Sequence, residues 1–335
     1  MVRQVGGQAV AMVAGEDSYL DVLSKNKSQL PKGLKCTFHG WDVVSTVREK
    51  HVTYQKCSEI GVNFPKTHYV RSKNELLNIL PDLDIPFPVL LKPLYSKRFR
   101  NAFGTRGIVA GEKEEVIKAY HNYNGFFGHL LLTEYIPGGE EKLVNLIAVG
   151  DTNGAPVEVF MNRKVRSSGR FLGCTLMEDY YSNVLLKDSM KLMAHLGYYG
   201  YFNPEFKIDP RDGLLKLMEV NGRITISNSH SLLCGFNMPY AMYQCALGAV
   251  NPKPHIQRSK FSKRVLWWEP IGDSLACVRK FRKDNLSVRQ YLVSLRADRI
   301  IMEPFWHKDP AVWIAIIWRY MKIVLNKAVE KLCGR

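Results

Sequence analysis

Residues 200–223 read GYFNPEFKIDPRDGLLKLMEVNGR, and this stretch decides the fold. Two apolar-rich segments, GYFNPEFKID and GLLKLMEVN, flank the turn sequence Pro210-Arg211-Asp212-Gly213. Apolar and polar residues that alternate on both sides of a tight turn are typical of a β-hairpin. The pairing of the two strands places Glu205 and Glu219 side by side, and Asn221 lies two positions beyond Glu219.

The oxygen donors of this hairpin are candidate metal ligands. Residues two apart on a strand share a face, so Glu219 and Asn221 point the same way. Carboxylate and amide oxygens suit Mg²⁺, which prefers hard ligands and leaves positions for phosphate oxygens. Arg223, two residues further on, is a candidate for stabilising a phosphate during its transfer. The alternative is a polar strand face with ordinary salt bridges, because several basic residues lie nearby.

A second candidate residue is Lys92, at the end of the strongly apolar segment FPVLLKP, residues 87–93. An unpaired ammonium group is costly to bury, so this lysine needs an anion or a path to solvent. A nucleotide phosphate would satisfy it. A lysine that extends to solvent from the edge of a strand is the alternative.

A third candidate segment is TEYIPGGEE, residues 133–141. The backbone groups of an extended segment can hydrogen-bond the edge of an adenine, and a carboxylate can accept hydrogen bonds from ribose hydroxyls. The alternative is a strand that ends in a Pro-Gly turn before two solvated acids.

The order of the predicted elements indicates the fold class. Alternating strands and helices with several hairpins predict an α+β or mixed α/β enzyme. The segments KLVNLIAVG and PVEVFMNRKV predict one hairpin, which turns at residues 152–154. The spacing of apolar residues from Trp41 to Ile60 predicts a single helix that ends at Gly61. Residues 96–107, SKRFRNAFGTRG, read as a basic loop able to close over phosphates.

Composition and motifs narrow the class of protein. The chain has 335 residues, of which 46% are hydrophobic and 23% charged, as is ordinary for a soluble globular protein. Its 7 cysteines are scattered without a C-x-x-C pair, which argues against a disulfide framework or a zinc ribbon. The N-terminus lacks a convincing signal peptide, and we expect a cytoplasmic protein. Walker A and H-E-x-x-H sequences are absent, which excludes P-loop ATPases and the common zinc proteases.

Positive charge is concentrated at the C-terminal end. Residues 255–335 contain 17 lysines and arginines against 7 acidic residues, a net charge of +10 within the total of +16. Localised positive charge favours an acidic surface as a partner. An anionic membrane surface or an anionic substrate fits, whereas we do not expect nucleic acid. A solvated basic face remains the alternative.

Residues 310–333 have the pattern of an amphipathic helix. Arg319 and Lys322 lie on one side, and Trp313 and Ile317 lie on another. The apolar run is too short to span a bilayer but suits a helix that lies in its interface. Two possibilities stay open: peripheral contact with the inner face of a membrane, or a helix docked on the protein's own core.

Taken in this order, these elements resemble the ATP-grasp superfamily, in particular the carboxylate–amine ligases related to D-aspartate ligase and to the large chain of carbamoyl-phosphate synthase. The resemblance covers about residues 42–250. It is carried by Arg48-Glu49-Lys50, by GVNFPKT at residues 61–67, by Lys92, by E-Y-I-P-G at residues 134–138, and by E-x-N-x-R at Glu219, Asn221 and Arg223.

The resemblance implies a role for each matching residue. Lys50 and Lys92 would bind the nucleotide phosphates, Glu134, Tyr135 and Ile136 the adenine, and Glu141 the ribose. Glu205, Glu219 and Asn221 would bind Mg²⁺, and Arg223 would stabilise phosphoryl transfer and the acyl phosphate. Lys164 and Arg166, together with Arg163, fall where related ligases have basic residues near the phosphate or the acceptor carboxylate. A basic surface hairpin is the alternative for these last residues.

The resemblance also implies a domain organisation. We expect an ATP-grasp fold with a shortened, Rossmann-like pre-ATP-grasp domain at residues 1–41. The ATP-grasp domain would occupy residues 42–254, with a small lid subdomain at about 66–136 and a larger subdomain at about 137–254. A basic, mainly helical extension would follow at residues 255–335. The region before residue 42 is about half the usual size, so either the fold is trimmed or the chain starts late.

The implied activity is that of an ADP-forming ligase with ATP and Mg²⁺ as cofactors. It would activate a small-molecule carboxylate as an acyl phosphate and join it to an amine or a related nucleophile. A peripheral position at the membrane would suit cell-envelope or surface-polysaccharide biosynthesis. The alternative is a non-catalytic nucleotide-binding or membrane-peripheral protein on the same scaffold. The sequence leaves the carboxylate, the nucleophile and the oligomeric state open.

Overall fold

The computed structural model describes residues 10–31, 33–94, 96–126, 129–168, 173–249, 253–283, 286–303 and 309–332. The N-terminal part contains two short parallel strands and three helices. These are β1 (Val10–Met12), α1 (Asp17–Lys25), β2 (Leu34–Cys36), α2 (Trp41–Arg48) and α3 (Lys50–Ile60). Leu20, Phe38 and Val44 form a small core between these elements. This core holds α1 beside α2. Asp17, at the start of α1, therefore lies close to Arg48 and Arg223.

A four-stranded antiparallel sheet follows. Its elements are β3 (Thr67–Val70), α4 (Lys73–Ile79), β4 (Val89–Pro93), α5 (Ser96–Phe103), β5 (Ile108–Ala110), α6 (Lys113–Asn122) and β6 (Leu130–Glu134), in the strand order β3-β6-β4-β5. Alternate residues of β4, Val89 and Leu91, are fully buried against α5 and α6. The central position of β4 and β6 carries Lys92 and Glu134 to the same side of the molecule as the second sheet.

The second sheet has eight strands in the order β11-β10-β7-β8-β9-β13-β14, with β12 paired to β8. Its elements are β7 (Leu143–Gly150), β8 (Pro156–Ser167), β9 (Cys174–Asp179), α7 (Asn183–His195), β10 (Gly200–Ile208), β11 (Leu215–Asn221), α8 (Asn228–Leu233), α9 (Met238–Leu247), β12 (His255–Ile256), β13 (Val265–Trp268), α10 (Pro270–Lys283), α11 (Val288–Ser294), β14 (Arg299–Met302) and α12 (Pro310–Leu332). The main core lies between this sheet and the helices α3 and α7.

The two predicted hairpins are confirmed. β7 pairs with β8, and β10 pairs with β11 in antiparallel register. The turn after β10 is closed by a hydrogen bond from the Gly213 amide to the Asp209 carbonyl, and Gly213 has a φ of 75°. Glycine adopts this left-handed conformation without strain. Strands β12, β13 and β14 join the C-terminal extension to the same sheet as the hairpins.

Two predictions of local structure are wrong. The expected single helix from Trp41 to Ile60 is two helices, because Glu49 has an extended backbone and ends α2. The Thr53 hydroxyl hydrogen-bonds the Thr46 carbonyl across this break and stabilises it.

The expected loop at residues 96–107 begins with a helix, α5. Phe99 is fully buried in the core of the four-stranded sheet, and its ring contacts Phe103, Tyr123 and Phe126. Burial of one aromatic face stabilises a helix whose charged residues obscure its pattern in the sequence.

Candidate functional site

Glu205 and Glu219 form the centre of the site. Their Cα atoms are register partners across β10 and β11, as are those of Asn203 and Asn221 two residues away. The carboxylates and the Asn221 amide therefore lie on one side of the hairpin, as the sequence predicted. The Asn221 amide group also approaches the Asn203 side-chain oxygen at 3.5 Å.

Each carboxylate forms an ion pair with a lysine. Lys50 Nζ, at the start of α3, lies 2.8 Å from Glu219 Oε2, and Lys164 Nζ, on β8, lies 2.6 Å from Glu205 Oε2. Burial raises the pKa of Glu219, but Lys50, Lys92 and Arg106 outweigh burial and hold this pKa well below its ordinary value. Burial lowers the pKa of Lys164, and Glu205 more than compensates, so the Lys164 pKa is raised. Glu219 and Lys164 are therefore both charged at neutral pH.

Lys92 faces the same group of side chains from the other sheet. Its pKa is lowered to about 8, chiefly by burial and in part by Lys50 and Arg106, against the opposing effect of Glu219 and Glu205. Among the residues that the structure describes, none forms a hydrogen bond or an ion pair with Lys92 Nζ. A buried cation beside other cations is stabilised by an anion, and a polyphosphate supplies one.

Arg223 lies beyond β11 and contacts the N-terminal part of the chain. Its guanidinium donates to both carboxylate oxygens of Asp17, at 3.1 and 3.3 Å, and Arg48 NH1 lies 3.3 Å from the same carboxylate. Asp21 accepts two further hydrogen bonds from Arg48. The sequence did not indicate these partners, because they come from segments about 200 residues away.

Several of these groups line one cavity of about 510 Å³, whereas Glu205, Lys164 and Lys92 are not among its lining residues. Its charged and amide lining residues are Glu16, Asp17, Asp21, Arg48, Lys50, Arg100, Arg106, Glu219, Asn221 and Arg223. The cavity therefore brings together Lys50, Glu219, Asn221 and Arg223 of the predicted site, and basic residues outnumber acidic ones along its wall. Arg100 and Arg106 come from the segment that was predicted to be a loop.

The predicted adenine segment is held by buried polar contacts. Glu134 is buried, and its carboxylate binds Arg211, Lys216 and the Lys66 amide. The Ile136 carbonyl accepts a hydrogen bond of 2.9 Å from Lys207 Nζ, which also lies 5.8 Å from the centre of the Tyr135 ring. The Glu134 side chain is thus occupied by contacts within the protein. The backbone groups of the segment are the part that could hydrogen-bond an adenine.

Two neighbouring acids follow this segment, and the structure distinguishes them. Glu141, the residue predicted to bind ribose, is exposed. Glu140 is half-buried and close enough to Lys164 and Glu205 to feel their charges. Burial raises the pKa of Glu140, Lys164 opposes this, and Glu205 adds to it. No spacing argument separates adjacent acids, so the sequence did not single out Glu140.

The structure separates the basic residues predicted on β8. Lys164 belongs to the site, whereas Arg166 is buried and binds Asp273 of α10 through two hydrogen bonds, at 2.9 and 2.6 Å. Arg163 pairs with Glu178. The β8–β9 register shifts between Lys164 and Arg166, which turns the second residue away from the face of the first. Arg166 therefore contributes to the attachment of the C-terminal extension.

The donor set fits a hard cation. Two opposed carboxylates and an amide oxygen are the ligand types that Mg²⁺ takes, with phosphate oxygens and water completing its coordination. Within the described part of the chain, no group of three or more His, Cys, Asp and Glu side chains could hold a metal ion, so the proposed set has two carboxylates and one amide. Bound Mg²⁺ would be held by Glu205, Glu219 and Asn221, in place of the lysine contacts.

Comparisons with known proteins identify relatives of this chain. The family described as the ATP-binding domain of the carbamoyl-phosphate synthase L chain matches residues 49–252. D-aspartate ligase of Enterococcus faecium is 23% identical over 328 residues, which cover 92% of this chain and 75% of the relative. The large chain of carbamoyl phosphate synthase from Methanobrevibacter smithii is 25% identical over 226 residues, 64% of this chain and 20% of that protein.

The fold is also similar to solved structures. A complex of biotin carboxylase from Campylobacter jejuni with a β,γ-ATP ligand superposes with a TM-score of 0.60 at 16% identity. The match covers 72% of this chain and 55% of that one, so the chain spans about half of the length of this enzyme.

Proposed function

This chain belongs to the ATP-grasp family, and from this membership we propose that it is an ADP-forming ligase that joins a carboxylate to an amine. The observation that carries the proposal is the convergence of Glu205, Glu219, Lys92 and Arg223 on one site. Metal ligands, a half-buried lysine to which the described residues supply no ion-pair partner, and an arginine are groups suited to phosphoryl transfer.

Each residue has a part in the proposed mechanism. When bound, Mg-ATP supplies the phosphoryl group that converts the carboxylate into an acyl phosphate. Lys50 and Lys92 bind the phosphates and neutralise their charge, and Glu205, Glu219 and Asn221 hold the metal. Arg223 leaves Asp17 and stabilises the oxygens of the phosphoryl group in transfer. The amine then attacks the activated carbonyl carbon and phosphate leaves.

Lys164 lies beside the proposed metal ligand Glu205 and not on the segment predicted to bind adenine. Its ion pair with Glu205 orients that carboxylate. We propose that Lys164, when not paired with Glu205, would bind the phosphate or the acceptor carboxylate. Arg166 is not included in this proposal, because its guanidinium is committed to Asp273.

The substrates are proposed at the level of their class. The relative named D-aspartate ligase suggests an amino acid as the activated carboxylate. The basic wall of the cavity suits a small anionic acid, which Arg48, Arg100 and Arg106 would attract. We place the enzyme in the cytoplasm, on a route that supplies cell-envelope or surface polymers.

The test is ADP release and product mass. The purified chain is incubated with Mg-ATP and pools of amino acids and amines, and products are sought at the summed substrate masses less one water. We expect ADP release that depends on both a carboxylate and an amine. ATP binding without turnover in every pool would instead support the alternative, a non-catalytic nucleotide-binding protein.

A further inference from the structure

Helix α12 exposes a continuous apolar stripe. Ile314 is 70% exposed, Ile317 45%, Trp318 61% and Met321 53%. These residues have the spacing i, i+3, i+4 and i+7, so they lie along one face of the helix. Isolated exposed apolar residues are common, but a contiguous row of four on one helix indicates an interaction surface.

The helix does not use this stripe to pack on its own chain. Trp313 and Ile316 are half-buried, and their positions lie on a different face of the helix from the stripe. At the beginning of α12, these two side chains are more shielded from solvent than the apolar stripe.

Charges at the margin of the stripe indicate the nature of its partner. Arg319 and Lys322 are exposed, and Lys322 Nζ lies 5.3 Å from the centre of the Trp318 ring. No acidic residue occurs from position 310 to position 329. A second copy of the chain would bring like charges together, whereas an anionic surface would attract them.

The size of the helix is consistent with a position along a surface. Among the described residues, no helix has both the length and the apolarity needed to cross a membrane. α12 has 23 residues, with an apolar face and a basic margin. Helices of this kind lie in the headgroup region, with tryptophan at the boundary and basic residues on the phosphates.

We propose that α12 binds an anionic lipid bilayer in the plane of its interface. Ile314, Ile317, Trp318 and Met321 enter the boundary between headgroups and acyl chains, and Arg319 and Lys322 contact lipid phosphates. This surface is separate from the cavity that holds the metal ligands, so the proposal does not depend on the ligase activity.

Vesicle flotation of the full chain tests the proposal. The vesicles contain phosphatidylcholine alone, or phosphatidylcholine mixed with an equal amount of phosphatidylglycerol. We expect the wild-type chain to float only with the mixed vesicles, with a blue shift of tryptophan fluorescence. The double variant Ile314→Asp/Met321→Asp should bind at least about tenfold more weakly, because two charged groups replace apolar contacts.

Two further variants complete the test. Val184→Asp is a matched control, since Val184 is 56% exposed on α7 and lies outside the stripe. It should float like the wild type. Arg319→Glu/Lys322→Glu should lose the preference for anionic lipid while circular dichroism stays unchanged.

Three outcomes would overturn the proposal. They are a wild-type chain that stays in solution with both vesicles, an aspartate double variant that floats as well as the wild type, or a stripe that instead drives concentration-dependent dimers in sedimentation. The Glu219→Ala variant should float normally, which keeps this test independent of catalysis.

Discussion

Glu205 and Glu219 are register partners on adjacent strands, and each carboxylate forms an ion pair with a lysine from another part of the chain. Two carboxylates at this separation repel each other, and one of them would take up a proton if both lacked cations. Lys50 and Lys164 remove this penalty. The two lysines thus neutralise the proposed ligand pair, and we expect Mg²⁺ to displace them.

The first prediction concerns Glu219. Replacement by Gln removes one anionic metal ligand and the partner of Lys50. We expect ADP release to fall by about 10²–10³-fold, because the metal no longer neutralises the transferred phosphate fully. A coupled assay for ADP measures the rate, and magnesium titration of the variant should show weaker metal binding.

Glu114→Gln is the control for this prediction. Glu114 is an exposed acid on α6, far along the chain from the hairpin. This variant should keep wild-type turnover and a wild-type response to magnesium. Undiminished ADP release by Glu219→Gln would remove Glu219 from the metal site.

The second prediction is a pH dependence at Lys92. The lysine has a pKa of about 8 in the protein without nucleotide, below the ordinary value of 10.5. Phosphate binds its charged form, so the affinity for ATP should fall as the pH rises through about 8. Calorimetry in buffers of different ionisation enthalpy should detect proton uptake on ATP binding above this pH.

The same group has a consequence for stability. Below about pH 8 Lys92 is charged in both the folded and the unfolded chain, and burial of its charge destabilises the fold. Between this pH and the ordinary pKa the unfolded chain binds more protons, so the contribution of Lys92 to the free energy of unfolding rises with pH. Lys92→Met should therefore be more stable than the wild type at neutral pH, by a margin that shrinks at alkaline pH.

Lys92→Arg provides the control for both effects. Arginine remains charged throughout this range, so the variant should bind ATP with no step in affinity near pH 8. A wild-type affinity that is flat across this region would contradict the assigned environment of Lys92.

The sequence predicted the hairpin and its donors because the necessary information is local. Alternation, turn residues and strand spacing fix that Glu205 faces Glu219 and that Asn221 follows on the same side. The resemblance to the ATP-grasp superfamily then predicted that Lys50, Lys92 and Arg223 belong to the same site. A strand pair and the first residues beyond it can be inferred from pattern alone.

The rest depended on contacts between distant segments. Burial of Phe99 stabilises α5 where charge suggested a loop, and a register shift in β8 separates Arg166 from Lys164. The position of Glu140 near Lys164 depends on which of two adjacent side chains turns toward that lysine, and the predicted ribose role of Glu141 stays a prediction. None of these features leaves a periodic signal, because each is decided by what packs against the segment.

The third prediction concerns Arg166. It forms a bidentate ion pair with Asp273, and both side chains are almost fully buried, at 7% and 0% exposure. Arg166→Ala leaves a buried carboxylate without its main partner and should lower the free energy of unfolding by about 3–5 kcal/mol. Urea denaturation measures this loss.

The double variant Arg166→Met/Asp273→Leu distinguishes the effect of an unpaired buried charge from the effect of lost side-chain volume. It removes both ions and keeps similar volume, so most of the lost stability should return. Arg163→Ala is the control, because Arg163 is 40% exposed and its replacement should cost little. An Arg166→Ala chain that unfolds like the wild type would contradict the structural role.

The fourth prediction concerns Arg223, which Asp17 holds through two hydrogen bonds in the absence of substrates. If the guanidinium moves to the phosphoryl group in the transition state, Arg223→Ala should lower kcat by about 10²–10³-fold and change the KM for ATP little. Arg223→Lys should recover only part of the rate, because an ammonium cannot bind two oxygens in the same fork. Arg71→Ala, which changes an exposed arginine beside Tyr69, should leave both constants unaltered. Steady-state kinetics separate the possibilities: a rise in the KM for ATP at constant kcat would assign Arg223 to nucleotide binding and leave the transfer step without its arginine.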